Sequence, residues 1–267
     1  MTPFLVLTLA AILSLMMAVA WLVQRQTRNS GWIDVIWSAA TGLSGAVGAL
    51  WPSLHVDHGR QVLVAMLILL WAARLAGHIA LRAAKGGDDP RYADMAQKAG
   101  ARWPLELFVF LQIQAAAALV LVLSVRMAAI HPGPFPGIGD MAGVTLLVIA
   151  VVGEGLADAQ LARFSAKHKG QVCDTGLWRY SRHPNYFFEW LGWCAFAVIA
   201  IAPDAPFWNW VALSAPVLMY GLLVYVSGIP PLEAHMLRTR GDAFRAYQAR
   251  TSAFFPLPVR RRLGGET

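Results

Sequence analysis

The residues best suited to chemistry fall in one run, Arg179-Tyr180-Ser181-Arg182-His183-Pro184-Asn185-Tyr186, with Glu189 four positions beyond Asn185. Arg179, Arg182 and His183 offer donors matched to phosphate oxygens. Asn185 both donates and accepts, as recognition of a carboxamide requires, and Glu189 can accept from a ribose hydroxyl or an amide nitrogen. On a helix their i, i+4 spacing puts Asn185 and Glu189 on one face. Glu154 and Asp158 repeat that spacing, and Arg74, His78 and Arg82 form a third stack. Asp34, in Gly31-Trp32-Ile33-Asp34-Val35-Ile36-Trp37, precedes every other carboxylate of the chain. A basic flank at a helix end accounts for the arginines, but not for a polar face that runs on into an apolar stretch.

The elements that carry these residues are apolar. Of the 267 residues 57% are hydrophobic and 14% charged, with a mean hydropathy of +0.51, against roughly 45–50% and about 25% in soluble domains. Those values exclude a disordered chain, a disulfide scaffold and an ordinary soluble enzyme. Seven stretches approach the roughly 20 apolar residues that a bilayer core demands: 3–23, 31–51, 61–81, 104–125, 139–161, 186–202 and 207–228. The expected fold is an all-α integral membrane bundle of seven transmembrane helices, read as a single membrane domain over 1–267. The first stretch lacks a charged start and a small-residue cleavage site, and reads as a retained helix rather than a signal peptide. All Lys and Arg except Arg60, Arg74 and Arg126 lie in the tail or in the gaps after the first, third and fifth stretches. The positive-inside rule then puts the amino terminus outside and the carboxy terminus in the cytoplasm.

Ionisable groups inside a bilayer are costly unless paired or hydrated, so Asp34, Arg74, His78, Glu154, Asp158 and Glu189 are expected to face one polar interior. A buried Asp34–Arg74 pair joining two helices is the structural alternative for two of them. The net charge of +7 lies between apolar runs rather than on an accessible basic patch, which argues against nucleic acid as a partner. Cys173 and Cys194 are too few for a disulfide framework. His55-x-x-His58, with Asp57 between them, is too sparse for a metal site. Gly42, Gly45 and Gly48 point to close helix packing, and Gly137-Ile138-Gly139 follows no strand, so no dinucleotide fingerprint is read there. Residues 82–103 hold a polar turn, Lys85-Gly86-Gly87-Asp88-Asp89-Pro90, followed by Arg91-Tyr92. The tail from 230 to 256 reads as an amphipathic helix, with Leu232, His235, Met236, Phe244 and Tyr247 on one face and Arg238, Arg240, Arg245 and Arg250 on another.

The Arg-His-Pro-Asn-Tyr run with Glu189, together with a Tyr- and Arg-rich tail ending in Phe254-Phe255-Pro256, resembles the steroid 5α-reductase superfamily, in particular bacterial membrane proteins carrying its carboxy-terminal domain. The resemblance is close over 154–256 and loose before it. It implies NADPH bound from the cytoplasmic side, in a cofactor region spanning 139–256, with helices on the substrate side over 1–130. It implies reduction of the C4=C5 double bond of a 3-oxo-Δ4 steroid or a similar enone lipid, and residence in the bacterial inner membrane. The cofactor residues carried over are Asp158, Tyr180, Asn185 and Glu189, with His235 and Tyr247. Lys167, Lys169, Arg179 and Arg182 join them on charge, and His183 and Tyr186 as parts of the same run. Hydride addition to an enone needs a donor at the ketone oxygen. Asp34 can serve if burial keeps it protonated, and Arg74, His78 and Tyr92 are the competing donors. The same run also resembles isoprenylcysteine carboxyl methyltransferases and related phospholipid enzymes. That alternative implies S-adenosylmethionine, with Glu233 as a ligand contact.

Overall fold

A computed structural model describes residues 2–54, 56–86, 90–203 and 205–259. His55 and Gly87 to Asp89, which complete the His pair and the polar turn noted above, lie outside the described residues. The helices are α1 (Pro3–Thr27), α2 (Gly31–Leu50), α3 (His58–Ala83), α4 (Pro90–Ala99), α5 (Trp103–Ala129), α6 (Ile138–Lys167), α7 (Pro184–Ala200), α8 (Ser214–Gly221) and α9 (Ile229–Arg250). Among the described residues there is no strand, only an isolated parallel bridge between Ser181 and Ser252. Six helical spans among the described residues are long and apolar enough to cross a membrane, as an integral membrane protein requires.

The expected seventh span differs. The stretch 186–202 folds as α7, whose 17 residues are fewer than a typical crossing needs. The last stretch is not one α-helix either. It runs as a 3-10 segment over Phe207–Leu213, then α8, then a π-helical turn over Leu222–Val226. Hydropathy fixes how long such a stretch is and says nothing of its hydrogen-bond register.

The chain divides into two compact units, one of Met1–Leu146 with Trp193–Leu218, the other of Leu147–Gly192 with Met219–Thr267. In the first, α1 buries Leu5, Leu9, Leu13 and Met17 at every fourth position, while Phe4, Leu7 and Leu15 stay exposed as a lipid-facing side would. Helices α2 and α3 meet at small residues. A Cβ at Gly42 would stand 2.2 Å from the Cβ of Ala72, so the close crossing requires glycine there. Trp71 of α3 is enclosed between Trp37 and Trp193, at ring separations of 6.3 and 4.8 Å.

Two arginines assigned by the sequence to the outer side are buried structural groups in this unit. Arg126 donates to the carbonyls of Gly48 (3.0 Å) and Trp51 (2.8 Å), supplying partners that the end of α2 lacks. Arg60, 1% exposed, binds both carboxylate oxygens of Asp140 at 2.8 Å.

Candidate functional site

In the second unit a short irregular segment, 168–183, joins α6 to α7 and is held by side chains from both its flanks. Gly176, at φ +60°, lets the chain turn against α6, where Gln160 Oε1 accepts from the Leu177 amide at 2.8 Å. Trp178 is buried and donates its indole N–H to the carbonyl of Ala157 at 2.9 Å. From the tail, the buried Tyr247 hydroxyl donates to the carbonyls of Trp178 and Ser181. The Leu257 amide reaches the Tyr180 carbonyl at 3.0 Å, and Arg182 N–H reaches the Ser252 carbonyl at 2.8 Å. Ser181 Oγ donates to Phe254 O and accepts from the His183 amide, which fixes the entry into α7.

The centre of this arrangement is Glu233, in the first turns of α9. Its Oε1 accepts from Arg182 Nε at 2.7 Å and lies 2.9 Å from His183 Nε2. Its Oε2 accepts from Gln248 at 2.7 Å and from Arg182 Nη2 at 3.2 Å. The remaining Arg182 nitrogen donates to the carbonyls of Gln248 and Thr251. Arg182 is therefore committed to the tail through all three nitrogens, and Tyr247 is committed to the segment backbone. Burial holds the His183 imidazole below its usual basicity, although Glu233 pulls the other way, so the ring is neutral at pH 7. Its plane stacks on Tyr186, with centroids 5.4 Å apart and an interplanar angle of 13°.

Two residues on, Asn185 Nδ2 donates to Asp158 Oδ1 at 3.3 Å, joining two of the faces read from the sequence. Glu154 and Glu189 are buried at 6% exposure each. Lys167, Lys169, Arg179 and Tyr180 are exposed, and His235 is half-buried. Arg179 also lines a cleft of about 380 Å³ with Thr175, Gly176, Arg250 and Thr251.

The first unit holds a separate polar cluster. Asp34 accepts from Arg91 at 2.5 Å and from the Tyr92 hydroxyl at 3.0 Å. Tyr92 is 3% exposed and in turn accepts from Gln114 Nε2 at 3.4 Å. The structure thus brings Asp34 and Tyr92 together and adds Arg91, which sequence reasoning passed over; its position directly before Tyr92 was the available signal. Arg74 is half-buried and His78 exposed on α3. Glu233 was missed as the partner of Arg182 and His183, since a carboxylate some 50 residues away in the chain gives no local sign.

The chain belongs to the family described as "Protein of unknown function (DUF1295)", which it matches over residues 20–251. It is 25% identical over 265 residues to an uncharacterized protein of Schizosaccharomyces pombe, covering 89% of this chain and 76% of that one. No solved structure matches it.

Proposed function

We propose that this family member is an NADPH-dependent reductase of the C4=C5 double bond of 3-oxo-Δ4 steroids or similar enone lipids, as in the steroid 5α-reductase superfamily. Its amino terminus would lie outside and its cofactor side would face the cytoplasm of the cell membrane. The observation that carries the reading is the Asp158–Asn185 pair with Glu189 one turn further along α7, a polar face whose donors and acceptors fit a carboxamide and ribose. Lys167, Lys169 and Arg179 are exposed and free to meet phosphates. Arg182 and Tyr247 serve by holding the segment that presents Tyr180 and Asn185, rather than by reaching a ligand.

When bound, NADPH supplies a hydride to the β-carbon of the enone. The protein must then stabilise negative charge growing on the ketone oxygen and allow a proton to reach the α-carbon. Asp34 accepts from both Arg91 and Tyr92, so the hydrogen of this cluster that a ketone oxygen can take is that of the Tyr92 hydroxyl. The reading therefore gives Tyr92 the ketone oxygen and makes Asp34 the acceptor that orients it. Arg74 and His78, on α3, are then not required as the donor.

The test is thermal unfolding of the detergent-purified protein with each cofactor. NADPH at a hundredfold excess over its Kd should add about 2.7 kcal/mol of stability, and S-adenosylmethionine should add nothing. Stabilisation by S-adenosylmethionine alone would replace the reductase with a methyltransferase. Asn185→Ala and Glu189→Gln should each weaken NADPH binding by roughly 1–3 kcal/mol. Wild-type affinity in both variants would remove this face from the cofactor site.

A further inference from the structure

His183 presents a chemical asymmetry that the cofactor reading alone does not use. Glu233 is ionised, because Arg182 grips both its oxygens, and an ionised carboxylate only accepts. A neutral imidazole facing it through Nε2 at 2.9 Å must therefore carry its hydrogen on Nε2. That leaves Nδ1 as a bare acceptor. Nδ1 is buried, and no group among the described residues donates to it, while the whole residue is 3% exposed. Buried acceptors in native folds are nearly always answered. The ring cannot turn to find a donor, since Glu233 holds one nitrogen and the Tyr186 ring lies parallel to its face. Two residues on, Asn185 begins the polar face assigned to the cofactor.

We propose that His183 Nδ1, with its tautomer set by Glu233, accepts a hydrogen bond from an N–H or O–H of the nicotinamide half of the bound dinucleotide. This rests on the cofactor reading and changes the role of His183 from a donor to phosphate into an acceptor. Glu233 is then a positioning residue that acts through the imidazole. It holds the hydrogen away from the ligand, much as a second partner fixes the tautomer of a metal-binding histidine.

Two substitutions separate the functions of the two nitrogens. In His183→Gln the side-chain amide can still donate to Glu233, but nothing accepts at the Nδ1 position. In His183→Asn an acceptor stands at the Nδ1 position, and the link to Glu233 is lost. The detergent-purified protein should show a crossed pattern. His183→Gln should keep the wild-type melting temperature and lose roughly 10–100-fold in NADPH affinity. His183→Asn should melt lower and keep most of its affinity. Glu233→Gln can present an N–H to Nε2, which moves the ring hydrogen to Nδ1, so its affinity should fall as in His183→Gln. Binding of adenosine 2′,5′-bisphosphate, which lacks the nicotinamide half, should be equal in all of these proteins.

The charged groups at the imidazole are Glu233 on α9 and Arg182 on the preceding segment. Below the His183 pKa the proton occupies Nδ1, so wild-type NADPH affinity should fall about tenfold per pH unit there. The fall should begin below the ordinary imidazole value of about 6.5 and be absent in His183→Gln. Three results would overturn the inference: wild-type NADPH affinity in His183→Gln, equal losses in the Gln and Asn variants, or an equal loss of the bisphosphate. If the wild-type protein binds no NADPH, the cofactor reading fails and this assignment fails with it. If it binds and the His183 variants are unchanged, the assignment alone fails.

Discussion

Tyr92→Phe should slow the reduction of a Δ4-3-ketosteroid by about 10²–10⁴ while leaving NADPH binding intact, the usual range for a lost acid–base group. The Tyr92 hydroxyl is buried and gives its single hydrogen to Asp34 at 3.0 Å, so in the resting cluster it can only accept from Gln114. A ketone oxygen placed beside it competes for that hydrogen, and a dry site makes the bond strong just as charge develops. Removing the hydroxyl leaves the Arg91–Asp34 pair whole, so any loss of rate is not a loss of the ion pair. Asp34→Asn should cost as much by another route. The amide no longer balances Arg91, and the Tyr92 hydroxyl loses the carboxylate that orients it. That pair is part-exposed, at 31% and 20% of the two side chains, so solvent screens it and its loss should change the melting temperature little. Single-turnover rates set beside melting temperatures decide the matter. A folded Tyr92→Phe protein that reduces enone at the wild-type rate removes the cluster from the chemistry. Unfolding of both variants would give it a structural role.

The division between what the sequence showed and what it hid follows from the range of each interaction. Apolar runs of some 20 residues are local, so the positions of α1, α2, α3, α5 and α6 were legible from hydropathy alone. Helix α6 runs on to Lys167 past the apolar stretch, because hydropathy ends where a helix enters water while the hydrogen-bond ladder need not. The tail helix was also legible, but its single amphipathic face was not correct. Gly241, at φ +51° and ψ −125°, breaks the helical path, so residues before and after it do not share one continuous face. Beyond it Phe244 and Tyr247 are buried, whereas Leu232, His235 and Met236 are only half-buried.

Within the site, Asn185 and Asp158 were read as members of polar faces, and they do meet. Arg182 was read as a phosphate ligand because a guanidinium carries no mark of its partner in the sequence. In the fold Glu233 and two tail carbonyls consume it. Asp34 was paired in expectation with Arg74 as a bridge between two helices. The partners that the structure gives it are Arg91 and Tyr92. Their helix, α4, follows the polar turn that the sequence treated only as a connector. In each case the residue type was informative and the partner was not, since the partner is fixed by packing between distant segments.

Arg60→Ala should destabilise the protein by about 3–5 kcal/mol, the range for breaking a buried pair from one side. Charge counting along the sequence placed Arg60 with the outer loops, yet it is 1% exposed. Nε and Nη2 bind the two oxygens of Asp140 at 2.8 Å, Nη1 binds the carbonyls of His131 and Gly133 at 2.6 and 2.8 Å, and Nη2 also binds Pro134 at 2.6 Å. Asp140 further accepts from the Gly137 amide at 2.8 Å. The guanidinium thus fastens the turn between α5 and α6 to the first turn of α3, all within the first unit. Truncation leaves a buried carboxylate without its counter-ion and three carbonyls without donors. Lysine should restore only part of the loss, because a single ammonium cannot reproduce a planar fork that serves five acceptor contacts. The double change Arg60→Met with Asp140→Leu separates the two costs. It removes the unpaired charge but leaves the carbonyls unanswered, so it should recover some of the loss and not all of it. Equilibrium unfolding in detergent measures each step. A wild-type unfolding free energy for Arg60→Ala would show that this buried network holds nothing in place.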